Sequence, residues 1–479
     1  MEILDSGAAG GHVIRGSLLR TVSYATGVAL SIGSGALMIR HLEAVDYGKY
    51  VIVISLTSII FGFTDVGMAN VAAREIASSG PEERKRLLTN MLGLRIVIAA
   101  AGILVAAAFA IIAGYDSTMV VGTILAGIGM FVMMIQHTYA IPMGVALRWG
   151  WISGIDLLRQ ALFVAAVLLL VFAGAGLLPF LAATIPVNLL VLVVAIPAVR
   201  GVVPLHPSFE LRQWSSILRL TGIYAAAAAI GTIYVFASVI ANSLVGSAEE
   251  AGYLGAAFRI YIVLAAVPLL LVSTAFPVLA RAAHVDRDRL EYGLRRVFEI
   301  AVIVGAWMAL ATVLGAPFAI KVVAGDGFEP SVGVLQIQAL ALVPSFLAVA
   351  AAFALISLRL NAGLLVANAV GLTTTVVLTL ALVPWIEAKG AALAMVAGDC
   401  VLAVLYGITL ARAGTLAFGL GVLPRVAVAA VLAGLLALAP LPDAPLVATA
   451  TAVYFGVLFL IGGVPPEIAT ALLRRRGGP

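Results

Sequence analysis

The chain has 479 residues, of which 63% are hydrophobic and only 11% charged, with a formal net charge of +5. No soluble core can hide that much apolar surface, so the composition excludes a water-soluble globular domain, and a surplus this small gives no sign of nucleic-acid binding. The single cysteine, Cys400, rules out a disulfide within the chain and argues against a thiol-based metal site.

Apolar runs long enough to cross a hydrocarbon core of about 30 Å follow one another along the whole chain. They lie at roughly residues 18 to 39, 49 to 72, 87 to 113, 118 to 140, 154 to 174, 177 to 199, 214 to 241, 251 to 280, 294 to 316, 332 to 357, 361 to 384, 389 to 411, 422 to 440 and 445 to 463. Lipid offers no partner to an open strand edge, so the prediction is an all-α polytopic membrane protein with about 14 transmembrane helices. The first run follows Arg15 and Arg20 with no small-residue cleavage pattern behind it, and is read as a retained span, not a signal peptide.

Sorting the basic residues by side orients these spans, because cytoplasmic loops are enriched in Lys and Arg. Roughly 23 of the 28 fall on one set of ends, among them Arg74, Arg84, Lys85, Arg86, Arg148, Arg200, Arg212, Arg281, Arg359 and Arg474 to Arg476. The other set holds Arg40, Lys49, Arg259, Lys321 and Lys389. Both termini are therefore expected in the cytoplasm, with a basic rim facing anionic lipid head groups at the cell membrane.

The loops also repeat. Gly93-Leu94-Arg95-Ile96-Val97 recurs as Gly293-Leu294-Arg295-Arg296-Val297, and Arg20 with Tyr24 recurs as Arg219 with Tyr224. Glu43, Asp46 and Gly48 match Glu249, Glu250 and Gly252; Leu147-Arg148 matches Leu358-Arg359, and Arg200 matches Arg412. A common order and an offset of about 200 residues predict two six-helix bundles related by a pseudo-two-fold axis along the membrane normal. The predicted organisation is an N-terminal lobe over residues 1–205, a C-terminal lobe over 206–415, and two additional helices with a basic tail over 416–479.

The stretch from Arg40 through Glu43, Asp46-Tyr47-Gly48 and Tyr50 leads to Asp65-Val66-Gly67-Met68-Ala69-Asn70 and Arg74-Glu75. With two bundles and two terminal helices, this resembles the polysaccharide branch of the multidrug/oligosaccharidyl-lipid/polysaccharide exporter superfamily, the Wzx-type flippases. The resemblance covers essentially the whole chain. It implies that a lipid-linked oligosaccharide or polysaccharide precursor is moved from the cytoplasmic to the outer leaflet by alternating access, and that a glycan polymerase or ligase is a partner. On the residues alone, Asp46-Tyr47-Gly48 reads as a tight extracytoplasmic turn with Tyr47 at the interface.

A charge at mid-membrane costs at least about 2.5 kcal/mol unless it faces a wet cavity or a partner, so charges within spans are the site candidates. Asp399, near the middle of the twelfth span, and Asp65 are candidates for a coupling proton or sodium ion; no other cofactor is expected. Guanidinium groups grip phosphate in a bidentate fork and stay charged in low dielectric. A lipid pyrophosphate is therefore expected to meet Arg95, Arg159, Arg259, Arg20 and Arg219, although Arg20, Arg219 and Arg295 lie close enough to a span end to snorkel to the head groups.

Gln136, His137, Asn188, Asn242 and Asn368 supply uncharged polar groups for sugar hydroxyls, and His137 reads first as a satisfied inter-helix hydrogen bond. Gly27, Ser31 and Gly35 form a close-packing stripe. Pro186, Pro197, Pro268, Pro277 and Pro344 predict bent helices.

No zinc-type His spacing, nucleophile elbow or phosphate loop is present, and the outer-loop acids are scattered, so no enzyme is expected. The competing reading is a cation-coupled multidrug antiporter of the same superfamily. A net positive charge on cavity-facing positions favours the anionic lipid-linked substrate, and a net negative one the cationic drug.

Overall fold

The computed structural model describes residues 9–65, 80–145, 148–199, 206–272, 287–414 and 420–464. Among these residues there is no strand. The helices are α1 (Ala9–Asp65), α2 (Pro81–Ile112), α3 (Ser117–Val145), α4 (Trp149–Phe172), α5 (Leu177–Ala182), α6 (Thr184–Val199) and α7 (Leu211–Val245). They continue as α8 (Ala248–Ala265), α9 (Arg287–Val323), α10 (Pro330–Leu340), α11 (Leu342–Ser357), α12 (Asn361–Arg412), α13 (Leu423–Gly434) and α14 (Asp443–Leu460).

α1 and α12 contain 57 and 52 residues, far more than the roughly 20 that cross a bilayer. Each holds two crossings folded back at a kink, at Glu43 in α1 and at Ile386 and Glu387 in α12. Conversely, α5 with α6 makes one crossing, and so does the pair α10 and α11, bent by 40°. Ten helices among the described residues, or eleven with that pair, are long and apolar enough to cross a membrane. The kinks in α1 and α12 divide two of them, and Leu423–Leu438 is a shorter apolar helix. These helices follow the order of the apolar runs, and the chain is a multi-pass membrane protein.

Proline decides where several of these breaks fall. Pro186 and Pro344 are each the third residue of a helix, after interruptions at Ala183 and Ala341. There the missing N–H is one of the first-turn donors that has no helical acceptor in any case. Pro384 stands two residues before the α12 kink. Pro277 lies outside the described residues.

The turn expected at Asp46-Tyr47-Gly48 is displaced. The backbone reverses at Glu43 (φ 57°, ψ −178°), so all three residues are already helical. Tyr47 is buried among the helices and stacks on Tyr50 at 6.1 Å. The helix resumes early because the left-handed residue alone reverses the chain. The corresponding turn before α8 is built differently: Ser247 and Glu250 form a reciprocal capping box.

Glu43 and Glu387 both adopt left-handed φ values that glycine tolerates and other residues enter at a cost of about 1 to 3 kcal/mol. Glycine at Glu387 removes that strain and adds back a smaller unfolded-state entropy term. Glu387→Gly should therefore raise stability by about 1 kcal/mol, read as a higher unfolding midpoint in detergent. A lower midpoint would show that the glutamate side chain contributes more than its backbone costs.

The chain divides into two compact units, residues up to Phe236 and residues from Ala237 onward, and the division falls inside α7. The first part of α7 belongs to the first unit because the segment before it is bonded to α2. Ser208 N donates to the Thr89 carbonyl, Glu210 N to Asn90 Oδ1, and Trp214 Nε1 to the Asn90 carbonyl. The Glu210 carboxylate accepts from Arg86 and Asn90, and the Arg86 hydrogen bond leads in holding it below the usual carboxylate range. In the second unit, α13 and α14 pack on α9 through Val302, Leu314, Val426 and Tyr454, with Tyr454 Oη donating to the Ile303 carbonyl.

Candidate functional site

Polar groups gather at two places in the helical interior, one in each unit. In the first unit they come from three consecutive positions of α3 and from the helices that face them. Gln136 and Thr138 are 3% and 1% exposed. Thr138 Oγ1 accepts from Arg95 Nη1 of α2 at 2.9 Å and returns its own proton to the Met134 carbonyl one turn back. Gln136 Oε1 accepts from Arg159 Nη2 of α4.

His137 stands between these two contacts, within electrostatic reach of both guanidinium groups and edge-on to Phe61 of α1 at 5.8 Å. Its Nε2 is buried, and among the described residues it has no hydrogen-bond partner, which corrects the expectation of a satisfied inter-helix bond. The ring is held by an aromatic edge, and its neighbours on α2 and α4 are the guanidinium groups that donate through one Nη each to Thr138 and Gln136.

Two of the five arginines singled out in the sequence are thus brought together, in unlike environments. Arg95 is 2% exposed and enclosed between α2 and α3. Arg159 keeps 19% of its side chain accessible and pairs with Asp156 of its own helix at 3.2 Å. Its Nε is buried without a partner among the described residues. Asp156 was not among the sequence candidates, although its spacing of three from Arg159 on a helix is a readable signal. Gly27 of the small-residue stripe faces Gln160, next to Arg159, which is the packing role expected of it.

Arg259 is half-buried on α8 in the second unit. Arg20 and Arg219 lie on α1 and α7, and Asp65 ends α1, but the side chains of all three lie outside the described residues. The repeat motif has diverged between the units. Arg295, the counterpart of Arg95, is 62% exposed and bonds to Glu299 on its own helix.

The second polar group centres on Asp399, 5% exposed on α12. Its Oδ2 accepts from Tyr261 Oη of α8 at 3.0 Å. Seven residues on, Tyr406 Oη donates to Asn368 Oδ1 at 2.6 Å, so two buried hydroxyl-to-oxygen pairs lie along one face of α12. Tyr261 was not foreseen, because its 138-residue separation from Asp399 leaves no local trace. Among the described residues no group of three or more His, Cys, Asp and Glu is placed to hold a metal ion.

A sequence model of the polysaccharide biosynthesis protein family matches residues 13–283, more than half of the chain. No curated protein matches it in sequence. Among solved structures, the lipid II flippase MurJ in an inward closed conformation aligns with 93% of this chain and 98% of its own, at a TM-score of 0.79 and 12% identity. An inward-facing multidrug resistance MATE family transporter of the MOP superfamily aligns with 82% of this chain and 95% of its own, at a TM-score of 0.65 and 14% identity. The Vibrio cholerae MATE transporter VcmN in its bent form covers 84% and 99%, at a TM-score of 0.51 and 14% identity. At these identities the likeness is one of fold.

Proposed function

We propose, from the premise that this chain belongs to the polysaccharide biosynthesis protein family, that it flips a lipid-linked oligosaccharide or polysaccharide precursor from the cytoplasmic to the outer leaflet by alternating access. The observation that carries the reading is the cationic group inside the first unit: Arg95 and Arg159 around His137, with Asp156 as the acid paired to it. Among the described residues two guanidinium groups stand against one carboxylate, a balance that suits an anionic phosphate ester and opposes a cationic drug. The fold shared with a lipid II flippase supports the same choice. The arginine distribution supports a cell-membrane location with both termini in the cytoplasm, where such precursors are assembled. A glycan polymerase or ligase is the partner class that would take up the product.

In this reading Asp399 is the coupling group. A buried carboxylate that accepts from a tyrosine hydroxyl can take up and release a proton, or offer an oxygen to a sodium ion, as the two lobes alternate. Such an ion is cargo, not a resident cofactor.

The test is a reconstituted flipping assay with lipid-linked oligosaccharides, run with and without a proton or sodium gradient. Glycolipid transfer that accelerates under one gradient is the expected result. Efflux of cationic dyes with no glycolipid transfer would establish the competing antiporter reading.

A further inference from the structure

Two fully buried side chains of α10 carry polar atoms that no described residue satisfies. Ser331 Oγ and both amide atoms of Gln338 are without a hydrogen-bond partner among the described residues. Gln336 of the same helix, by contrast, donates to the Val313 carbonyl of α9. A buried polar atom is costly to leave unpaired, and an amide that needs both a donor and an acceptor is suited to water, which is both.

These two residues also point along a line. Ser331 and Gln338 are seven positions apart, about two turns, and so share one face. Ala341 joins α10 to α11 with right-handed helical angles (φ −67°, ψ −19°), across a bend of 40°. Seven positions further on that face is Ser345, whose side chain is within hydrogen-bonding reach of Tyr261 on α8. Tyr261 Oη in turn donates to Asp399 Oδ2. The line begins beside the turn of residues 324–329, which separates two spans and therefore lies at a membrane face, and it ends at a buried carboxylate.

We propose that this face of α10 and α11 holds a file of water that brings protons from the membrane face to Asp399, with Ser331 and Gln338 anchoring the water and Ser345 and Tyr261 relaying the proton. The inference rests on the reading of Asp399 as the coupling group, and it makes the coupling ion a proton. Each seven-residue step is roughly 10 Å along the axis, about three hydrogen-bond lengths between waters. The amide only holds water in place, whereas the hydroxyls pass a proton on. A proton from the file goes to Ser345 Oγ as Ser345 gives its own to Tyr261 Oη and Tyr261 gives its own to Asp399 Oδ2. Both hydroxyls end neutral, and the carboxylate becomes an uncharged acid. Tyr261 faces the carboxylate from α8 and Cys400 adjoins it on α12, while α10 and α11 carry no titratable side chain. Arg259 precedes Tyr261 by two positions and so lies on another face of α8, and Lys389 sits beside Gly333 near the start of the file.

The experiment compares wild type, Gln338→Leu, Ser331→Ala and Asp399→Asn in phosphatidylethanolamine and phosphatidylglycerol vesicles. The probe is the proton: after a sudden drop in external pH, time-resolved infrared spectroscopy follows the protonated-carboxyl band, assigned by its loss in Asp399→Asn. Flipping is measured in parallel under a proton or a sodium gradient. Gln338→Leu should slow the band about tenfold, the effect of losing one buried hydrogen-bonding group, and slow proton-driven flipping with it. Its unfolding midpoint should hold or rise, because leucine removes two unpartnered polar atoms at similar volume. A purely structural glutamine would show the opposite pattern, a lower midpoint and an unchanged rate. Ser331→Ala should slow the band by a smaller factor.

A band that grows at the wild-type rate in folded Gln338→Leu would overturn the path, as would an Asp399 with no protonation band or flipping that answers to sodium alone. Slower growth in Gln338→Leu, with flipping indifferent to Asp399→Asn, would uphold the path and sink the coupling reading. Loss of proton-driven flipping in Asp399→Asn, with Gln338→Leu unchanged in both measurements, would do the reverse.

Discussion

Arg159→Ala should reduce glycolipid flipping about tenfold or more, because it removes a charge-assisted contact worth about 1.5 to 3 kcal/mol to an anionic ligand. The arginine is one of two guanidinium groups beside His137, and the one that keeps part of its surface open. Arg159→Lys keeps the charge but not the planar fork, and should recover only part of the rate. The alanine variant leaves Gln136 Oε1 buried without its donor, at a cost of about 1 to 3 kcal/mol. Flipping must therefore be normalised to folded protein, checked by gel filtration and the unfolding midpoint. Wild-type transport by a folded Arg159→Ala protein would remove the central support for an anionic substrate. Arg95 makes a poorer first test: at 2% exposed it is part of the interior, and its loss would confound stability with transport.

The second large effect is expected at Gly93, where a helix and the segment before α7 approach closely. A Cβ there would lie 2.0 Å from the Ser208 carbonyl oxygen, and that carbonyl belongs to backbone whose own N–H is bonded to Thr89. Neither side can give way without breaking the docking of residues 206–210 on α2. Gly93→Ala should therefore cost about 1 to 3 kcal/mol or undock the segment. Hydrogen exchange at Ser208 and Glu210 should rise together with a lower unfolding midpoint. Gly154→Ala, whose Cβ would meet nothing within 4 Å, is the control and should leave the exchange at Ser208 and Glu210 unchanged without lowering the midpoint. Protection at Ser208 that survives Gly93→Ala would show that the close approach is not what holds the segment.

Gly93 also shows how far the repeat could be read. As part of Gly93-Leu94-Arg95 it marks the opening of an outward-going span and pairs with Gly293-Leu294-Arg295. That reading says where the helices begin and not what surrounds them. Arg95 meets Thr138 of α3 in the interior, whereas Arg295 meets Glu299 on its own helix and stays largely exposed. The two positions share a local sequence and differ in the helix that packs over them. In the same way Asp399 was legible as a costly charge in an apolar run, but the tyrosine that satisfies it comes from α8.

By itself the sequence determined the membrane class and the order of the apolar helices, because the cost of placing a residue in lipid is set residue by residue and accumulates along one helix. It also singled out the charges that need a reason to be there. Only the tertiary structure decided which of them meet. Arg95 and Arg159 converge on His137, the first enclosed and the second paired with Asp156, because α2 and α4 both pack against α3 at that level. Convergence of side chains from separate helices depends on rotation and packing between them, and a hydropathy pattern carries the period of each helix without its partners.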